Sequence, residues 1–210
     1  MSRGKFIVLE GPDGSGKSTQ AALLVKALGA RGVAVEHLRD PGGTAVGDRI
    51  REILLAGRVV DRTAEVFLFL ASRAQLAAER ILPALEAGRT VVCERFTLST
   101  VVYQGAATEI AADAAAMDRL RATVSLSAAG AVPDLLLVLD VDPSVGLGRK
   151  EGPAGLDRIE RRGEPYQRRV RDGYLAEARR VPGAVVIPPG PVEATHRRVL
   201  AAVERVLAGA

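Results

Sequence analysis

The sequence predicts an α/β protein with a doubly wound, five-stranded parallel sheet and helices on both faces. Three observations predict it. Five short apolar runs (Phe6–Glu10, Val33–Arg39, Thr90–Glu94, Leu135–Val141 and Ala184–Pro188) are mostly near-continuous Val, Ile and Leu. Runs of that kind suit strands buried on both faces of a parallel sheet, whereas half-exposed strands alternate. Helix-length segments lie between them, and alternation of strand and helix is the signature of a parallel sheet. A glycine-rich turn joins the first strand to the first helix, where such folds bind their ligands.

The elements follow in order. Lys17–Ala30 is a helix by the spacing of Leu23, Leu24, Ala27 and Leu28. Thr63–Ala87 reads as one long helix from Val66 through Leu85, with Gly88 as its stop. The Ala-rich stretch from Ala106 to Ala131 is partly helical through Met117, Leu120, Val124 and Leu126. Glu164–Val181 and Val192–Leu207 are amphipathic, the second starting after Pro188-Pro189-Gly190-Pro191. Gly146–Gly163 holds five glycines, Pro153 and several charges, and is expected to be a mobile loop. With no linker and no internal repeat, residues 1–210 read as one domain.

The turn itself is Gly11-Pro12-Asp13-Gly14-Ser15-Gly16-Lys17-Ser18, followed by Thr19. It matches G-x-x-x-x-G-K-[ST] between a strand and a helix, the context a phosphate-binding loop requires. Glycines let the backbone curl so that N–H groups converge on phosphate oxygens, and the helix N-terminus adds its dipole. Lys17 supplies a point charge for the β- and γ-phosphates, and Ser18 is placed to ligate Mg²⁺. The motif predicts nucleotide binding on a P-loop NTPase fold; alone it does not choose between an ATPase, a GTPase and a kinase, and it leaves any phosphoryl acceptor open.

Composition narrows the function further. Of 210 residues, 29 are Lys or Arg and 25 are Asp or Glu, and residues 149–180 carry the whole net charge of +4. A basic segment on a neutral body suggests a focused anionic ligand. Seven aromatics and no Trp leave little for stacking on nucleic acid, so no nucleic-acid partner is expected. No apolar run approaches the roughly 18 residues of a membrane span, and no membrane partner is expected. One cysteine, Cys93, fits a reducing, cytoplasmic setting. His37 and His196 are too isolated to form a metal cluster.

Four further segments acquire meaning together. Arg39-Asp40-Pro-Gly-Gly-Thr44 follows the second strand, and Phe67-Leu-Phe69-Leu-Ala-Ser-Arg73 lies on the long helix. Glu94-Arg95-Phe96 through Ser99, Tyr103 and Gln104 follows the third strand, and Leu156-Asp157-Arg158-Ile159-Glu160 sits in the basic loop. In this order the chain resembles thymidylate (dTMP) kinase from end to end. The resemblance implies transfer of phosphate from ATP to dTMP, with Mg²⁺ and a homodimer. A P-loop kinase for another nucleotide or nucleoside is the alternative reading.

The resemblance also implies residue roles. Arg95 bridges donor and acceptor phosphates, and Arg158, in a lid of about residues 146–163, closes over the transferring group. Arg149, Lys150, Arg161 or Arg162 are substitutes for Arg158. Glu94 joins Ser18 at the metal. Phe69 stacks on thymine, Arg73 meets its carbonyl edge and Gln104 faces the base. Asp13 contacts the sugar 3′-hydroxyl, Tyr103 lies under the deoxyribose, and Ser99, Arg51 and Asp40 line the acceptor pocket.

Asp40 and Glu94 stand where the family commonly has Glu and Asp, a reciprocal exchange of length. We expect both to border one Mg²⁺–water cluster. Pro188-Pro189 stands in a loop that borders adenine in relatives, and the chain beyond Gly105 lacks the family's usual Gly- and Arg-containing run. These departures leave donor preference and acceptor range less constrained. Basic residues on Glu164–Val181 are expected to be mostly solvated.

Overall fold

A computed structural model describes residues 3–55, 61–149 and 162–209. Strands β1 (Phe6–Glu10), β2 (Val35–Arg39), β3 (Thr90–Glu94), β4 (Leu135–Leu139) and β5 (Val185–Ile187) form one sheet. Its order is β2-β3-β1-β4-β5 and every pairing is parallel. β1 is central, so the loop that leaves its carboxyl end lies at the point where strand order reverses.

The continuous apolar strands are explained by two cores. Phe6 and Val8 of β1, with Val91, Cys93, Leu136 and Val138, face one cluster. Ile7 and Leu9, with Val92, Leu135, Leu137 and Leu139, face the other. Adjacent residues point to opposite sides of a strand, so a sheet covered on both sides needs apolar residues at every position. Helices α1 (Lys17–Gly29) and α9 (Val192–Ala208) cover the second face through Leu24, Leu28, Val199 and Val203. The edge strands β2 and β5 are shorter than expected: Val33 and Ala34 lie before the first paired residue of β2, and Pro188 cannot donate to the ladder.

The first face is covered by α3 (Arg62–Leu76), a π-helical segment at Ala77–Ile81, α4 (Leu82–Glu86) and α8 (Glu164–Ala178). Asp61 caps α3 by accepting from the N–H groups of Thr63 and Ala64. The expected continuous helix 63–87 is therefore interrupted. Pro83 has no N–H to give, and the chain widens so that Leu82 N–H reaches Ala77 O, five residues back.

Helices α2 (Ala45–Leu55), α5 (Thr97–Thr100), α6 (Ala114–Ser127) and α7 (Pro143–Gly148) complete the list of α-helices among the described residues. The Ala-rich stretch resolves into a 3₁₀ turn at Glu109–Ala112 and α6, which Asp113 caps through Ala116 N–H. α7 occupies the start of the expected mobile loop, capped by Asp142. Between α5 and the 3₁₀ turn, Val101–Ala106 forms a second π-helical segment.

Candidate active site

The phosphate-binding turn is built from backbone. Gly16 sits at φ 91° and ends the turn where α1 begins, a conformation that costs glycine little. Gly14, at φ 72°, passes so close to α7 that an added Cβ would lie 2.1 Å from Gly146 O. A side chain at this point cannot be accommodated with α7 where it is. Lys17 is buried and its Nζ donates to Gly11 O at 2.8 Å and Pro12 O at 2.7 Å. The ammonium is thus held directly beneath the turn. Asp13, Gly14, Gly16, Lys17, Ser18 and Thr19 line one cavity, joined by Arg39, Glu94, Arg95 and Arg149.

Glu94, at the end of β3, accepts from Ser18 Oγ at 2.5 Å on one oxygen and lies 3.0 Å from His37 Nε2 on the other. Burial pushes its carboxyl upward, but the hydrogen bonds from His37 and Ser18 and the charge of Arg39 outweigh that and hold it low. A hydroxyl and an ionised carboxylate are hard oxygen donors, the set that suits Mg²⁺, which keeps most of its waters and needs few protein ligands. His37 had no motif to mark it; only strand register carries it to Glu94, from the neighbouring strand β2.

Arg95 follows immediately at φ 66°, in the left-handed region, a strain of roughly 1–3 kcal/mol for a residue with a Cβ. Glu10 holds the next turn in place. Its Oε1 accepts from the N–H groups of Phe96 and Ser99, and its Oε2 from Ser99 Oγ at 2.6 Å and Tyr174 OH at 3.1 Å. Burial raises the Glu10 carboxyl despite these bonds. Arg95 itself reaches Asp13 Oδ1 at 2.5 Å and Ser99 Oγ at 3.1 Å, and its guanidinium lies over the Tyr103 ring. Tyr103 OH donates to Asp13 Oδ2 at 2.9 Å.

A second cavity opens on the other side of Asp13 and Arg95. Its walls include Asp40, Arg51, Phe69, Arg73, Ser99, Tyr103 and Gln104, all of the residues assigned to the acceptor from the sequence. Arg73 is fully buried. It donates to Asp40 Oδ2 at 2.7 Å and to Thr100 Oγ1 at 2.9 Å, and lies 5.6 Å from the Phe96 ring centre. Arg51 Nη1 donates to Pro41 O at 3.0 Å. Gln104 Nε2 donates to Glu65 Oε1 at 2.9 Å.

One expectation changes. Asp40 does not share a donor set with Glu94: its side chain turns to Arg73 and lines the second cavity, while Glu94 lines the turn. The backbones still touch, Asp40 N–H donating to Glu94 O, so proximity along the chain ends does not bring the carboxylates together. The basic residues on Glu164–Val181 are mostly exposed, as expected, although the half-buried Arg171 grips both oxygens of Asp140 at 2.7 and 2.8 Å. Arg169, though exposed, donates to Ala107 O and lies over Tyr166. Of the lid, Arg158 lies outside the described residues, as do Lys150 and Arg161. At its ends, Arg149 donates to Gly14 O at 3.1 Å and Arg162 lies over Tyr166.

A third cavity, lined by residues including Asp140, Arg149, Arg171, Pro188, Pro189 and Thr195, borders the turn at Ser15. Cys93 is sealed in the core and burial raises its thiol, which leaves it a packing residue. No helix among the described residues is long and apolar enough to cross a membrane.

Residues 9–199 match the family model described as thymidylate kinase. The chain is 46% identical to a thymidylate kinase of Pelotomaculum thermopropionicum, over 98% of this chain and 95% of the relative. It is 43% identical to one of Methylococcus capsulatus, covering 100% and 99%. A third, of Caldanaerobacter subterraneus, is 38% identical over 99% of each chain. With a P-loop on a β2-β3-β1-β4-β5 sheet and these relatives along nearly its whole length, the chain belongs to the thymidylate kinase family.

Proposed function

We propose that the chain transfers the terminal phosphoryl group of ATP to dTMP, giving ADP and dTDP. One observation carries the reading: the phosphate-binding turn and the acceptor cavity share Asp13, Arg39 and Arg95 as common walls. A donor in the first and an acceptor in the second would meet across two arginines and one carboxylate.

The chemistry asks for little else. The attacking oxygen belongs to a phosphate that is already ionised, so no general base is required, and catalysis is positioning plus neutralisation of charge. Lys17 and the N–H groups of the turn hold the donor. Arg95 is pinned by Asp13 and Ser99 and stays protonated, since its acidic and phenolic neighbours outweigh the effect of burial. Its planar fork can hold one oxygen of each phosphate. Phe69 would stack on the base and Tyr103 would close the space beneath the sugar. Ser18 and Glu94 are the residues that would hold Mg²⁺, which when bound would neutralise the β- and γ-phosphate oxygens.

The reading includes residues 1–210 as one domain, Arg158 as the lid arginine, a cytoplasmic setting and a homodimer. In support of the last, Val46 and Ile53 of α2 and Phe67 of α3 are each half or more exposed on neighbouring helices, an unusual placement for a large aromatic. ADP release with ATP and Mg²⁺ against dTMP, dUMP, UMP, CMP, GMP and AMP tests the activity. Turnover is expected to be fastest on dTMP; turnover on another nucleotide with none on dTMP would favour the alternative kinase.

A further inference from the structure

Glu65 is almost fully buried, in the first turn of α3, and no motif draws attention to it. Glu65, Phe69 and Arg73 are spaced four apart and so follow one another along one face of the helix. Across from them Thr100 and Gln104 are also four apart. Two polar rungs join the pair of segments: Arg73 to Thr100 at 2.9 Å, and Gln104 to Glu65 at 2.9 Å. Phe69 lies between the rungs and lines the acceptor cavity with Arg73 and Gln104.

The rung at Glu65 has a direction. An amide can turn either its oxygen or its nitrogen toward a neighbour, but a carboxylate only accepts. Facing Glu65, Gln104 must therefore present Nε2. Glu65 lines only the neighbouring cavity, whereas Gln104 lines both. With the nitrogen drawn to Glu65, the oxygen is left for the acceptor side. Among the described residues no hydrogen bond reaches Gln104 Oε1. Unlike Asp40 Oδ1, it is not one of the orphaned atoms sealed in the interior. Arg162 Nη2, 3.9 Å from the same Glu65 oxygen, offers positive charge to the carboxylate.

We propose that Glu65 fixes the amide of Gln104 so that its oxygen meets the acceptor base, making Glu65 a positioning residue that sets base specificity. This rests on the acceptor reading of the cavity. A pyrimidine whose ring N3 carries a hydrogen, as thymine and uracil do, donates to that oxygen. Cytosine, whose N3 accepts, meets a lone pair instead, and its amino group meets the donors of Arg73.

Dissociation constants of dTMP, dUMP and dCMP for the full chain, wild type against Glu65→Gln, test the assignment. A glutamine at 65 can accept from or donate to Gln104, so the amide is released to turn either way. The preference for dUMP over dCMP is expected to fall about tenfold, the scale of one hydrogen bond exchanged for a mismatch. The preference for dTMP over dUMP reports on the methyl group and is expected to stay. Glu65→Met is expected to lower the first ratio as well, and the glutamine variant decides the matter if the methionine variant does not fold. An unchanged dUMP-to-dCMP ratio overturns the proposal, and so does a parallel fall in both ratios, which would mean a general loosening of the pocket. A wild type that binds none of the three overturns the acceptor reading and the proposal together. A wild type that prefers dUMP over dCMP, with Glu65→Gln unaltered, removes only Glu65.

Discussion

The two halves of the site are held by different means. At the donor side the cradle is main chain: three glycines at positive φ, a helix N-terminus, and a lysine bonded to two carbonyls of its own loop. At the acceptor side the walls are side chains that hold one another. Arg73 is held by Asp40 and Thr100, Arg95 by Asp13 and Ser99, Gln104 by Glu65, and Ser99 by Glu10. A main-chain cradle follows from local sequence and tolerates change elsewhere. A side-chain scaffold is cooperative, and one deletion leaves several buried groups without partners.

The largest effect expected on that contrast is on activity. Lys17→Met removes the positive side-chain charge of the cradle, while the glycine turn and the helix N-terminus that shape it remain. We expect kcat/KM to fall by about two to three orders of magnitude, as for loss of a preorganised charge donor, while the melting temperature changes little. Steady-state kinetics and a thermal scan on the same preparation check both halves. A large loss of stability would mean that the lysine holds the loop together and that the cradle is no more local than the acceptor wall.

On the acceptor side the order of effects is expected to reverse. Asp40 and Arg73 are each 1% exposed, and Asp40→Ala leaves a guanidinium buried without its carboxylate. Breaking such a pair costs about 3–5 kcal/mol, measurable as a shift in denaturant midpoint. Burial raises the Asp40 carboxyl and Arg73 opposes that, so the pair is held by its geometry more than by a solvated charge. Asp40→Ala with Arg73→Met is expected to recover much of the loss, because no lone charge remains. If the double variant is as unstable as the single, the cost lies in lost packing and the scaffold is less electrostatic than its contacts suggest.

The same contrast decides what was legible in the sequence. Gly11 through Ser18 is contiguous, and its chemistry is written in residue types at fixed spacing. The sheet was equally legible because two-sided burial forces apolar residues at every strand position. Family resemblance added Phe69, Arg73, Tyr103 and Gln104, which the structure gathers around one cavity. What sequence could not supply were partners from distant elements. His37 lies 57 residues from Glu94, Glu65 lies 39 from Gln104, and Tyr174 lies 164 from Glu10. Each is ordinary in its local setting and acquires a role only through strand register or helix packing. The pairing of Asp40 with Glu94 failed for the same reason: neighbouring strand ends share a backbone bond while their side chains serve different cavities.

Glu10 offers the smallest and most selective test, because it lies on the boundary between the two modes. It is the last residue of β1, directly before the cradle, yet its carboxylate organises Phe96, Ser99 and Tyr174 on the acceptor side. Glu10→Gln keeps an oxygen for the two N–H donors and turns an amide toward hydroxyls that can accept, so the fold is expected to survive. The burial that raises this carboxyl is opposed by Ser99, Arg95 and the N–H groups. A carboxyl raised in the folded state contributes stability that is full below the unfolded value of 4.5. That contribution is lost as pH climbs through the folded value. The melting temperature of the wild type relative to Glu10→Gln is therefore expected to decline as pH rises from 5 to 8. Paired thermal scans across that range read the difference directly. A gap that widens with pH would mean that the hydrogen bonds stabilise the anion more than burial penalises it. The charge on Glu10 would then support the strained turn at Arg95, and the acceptor scaffold would be anchored in the same strand end that launches the cradle.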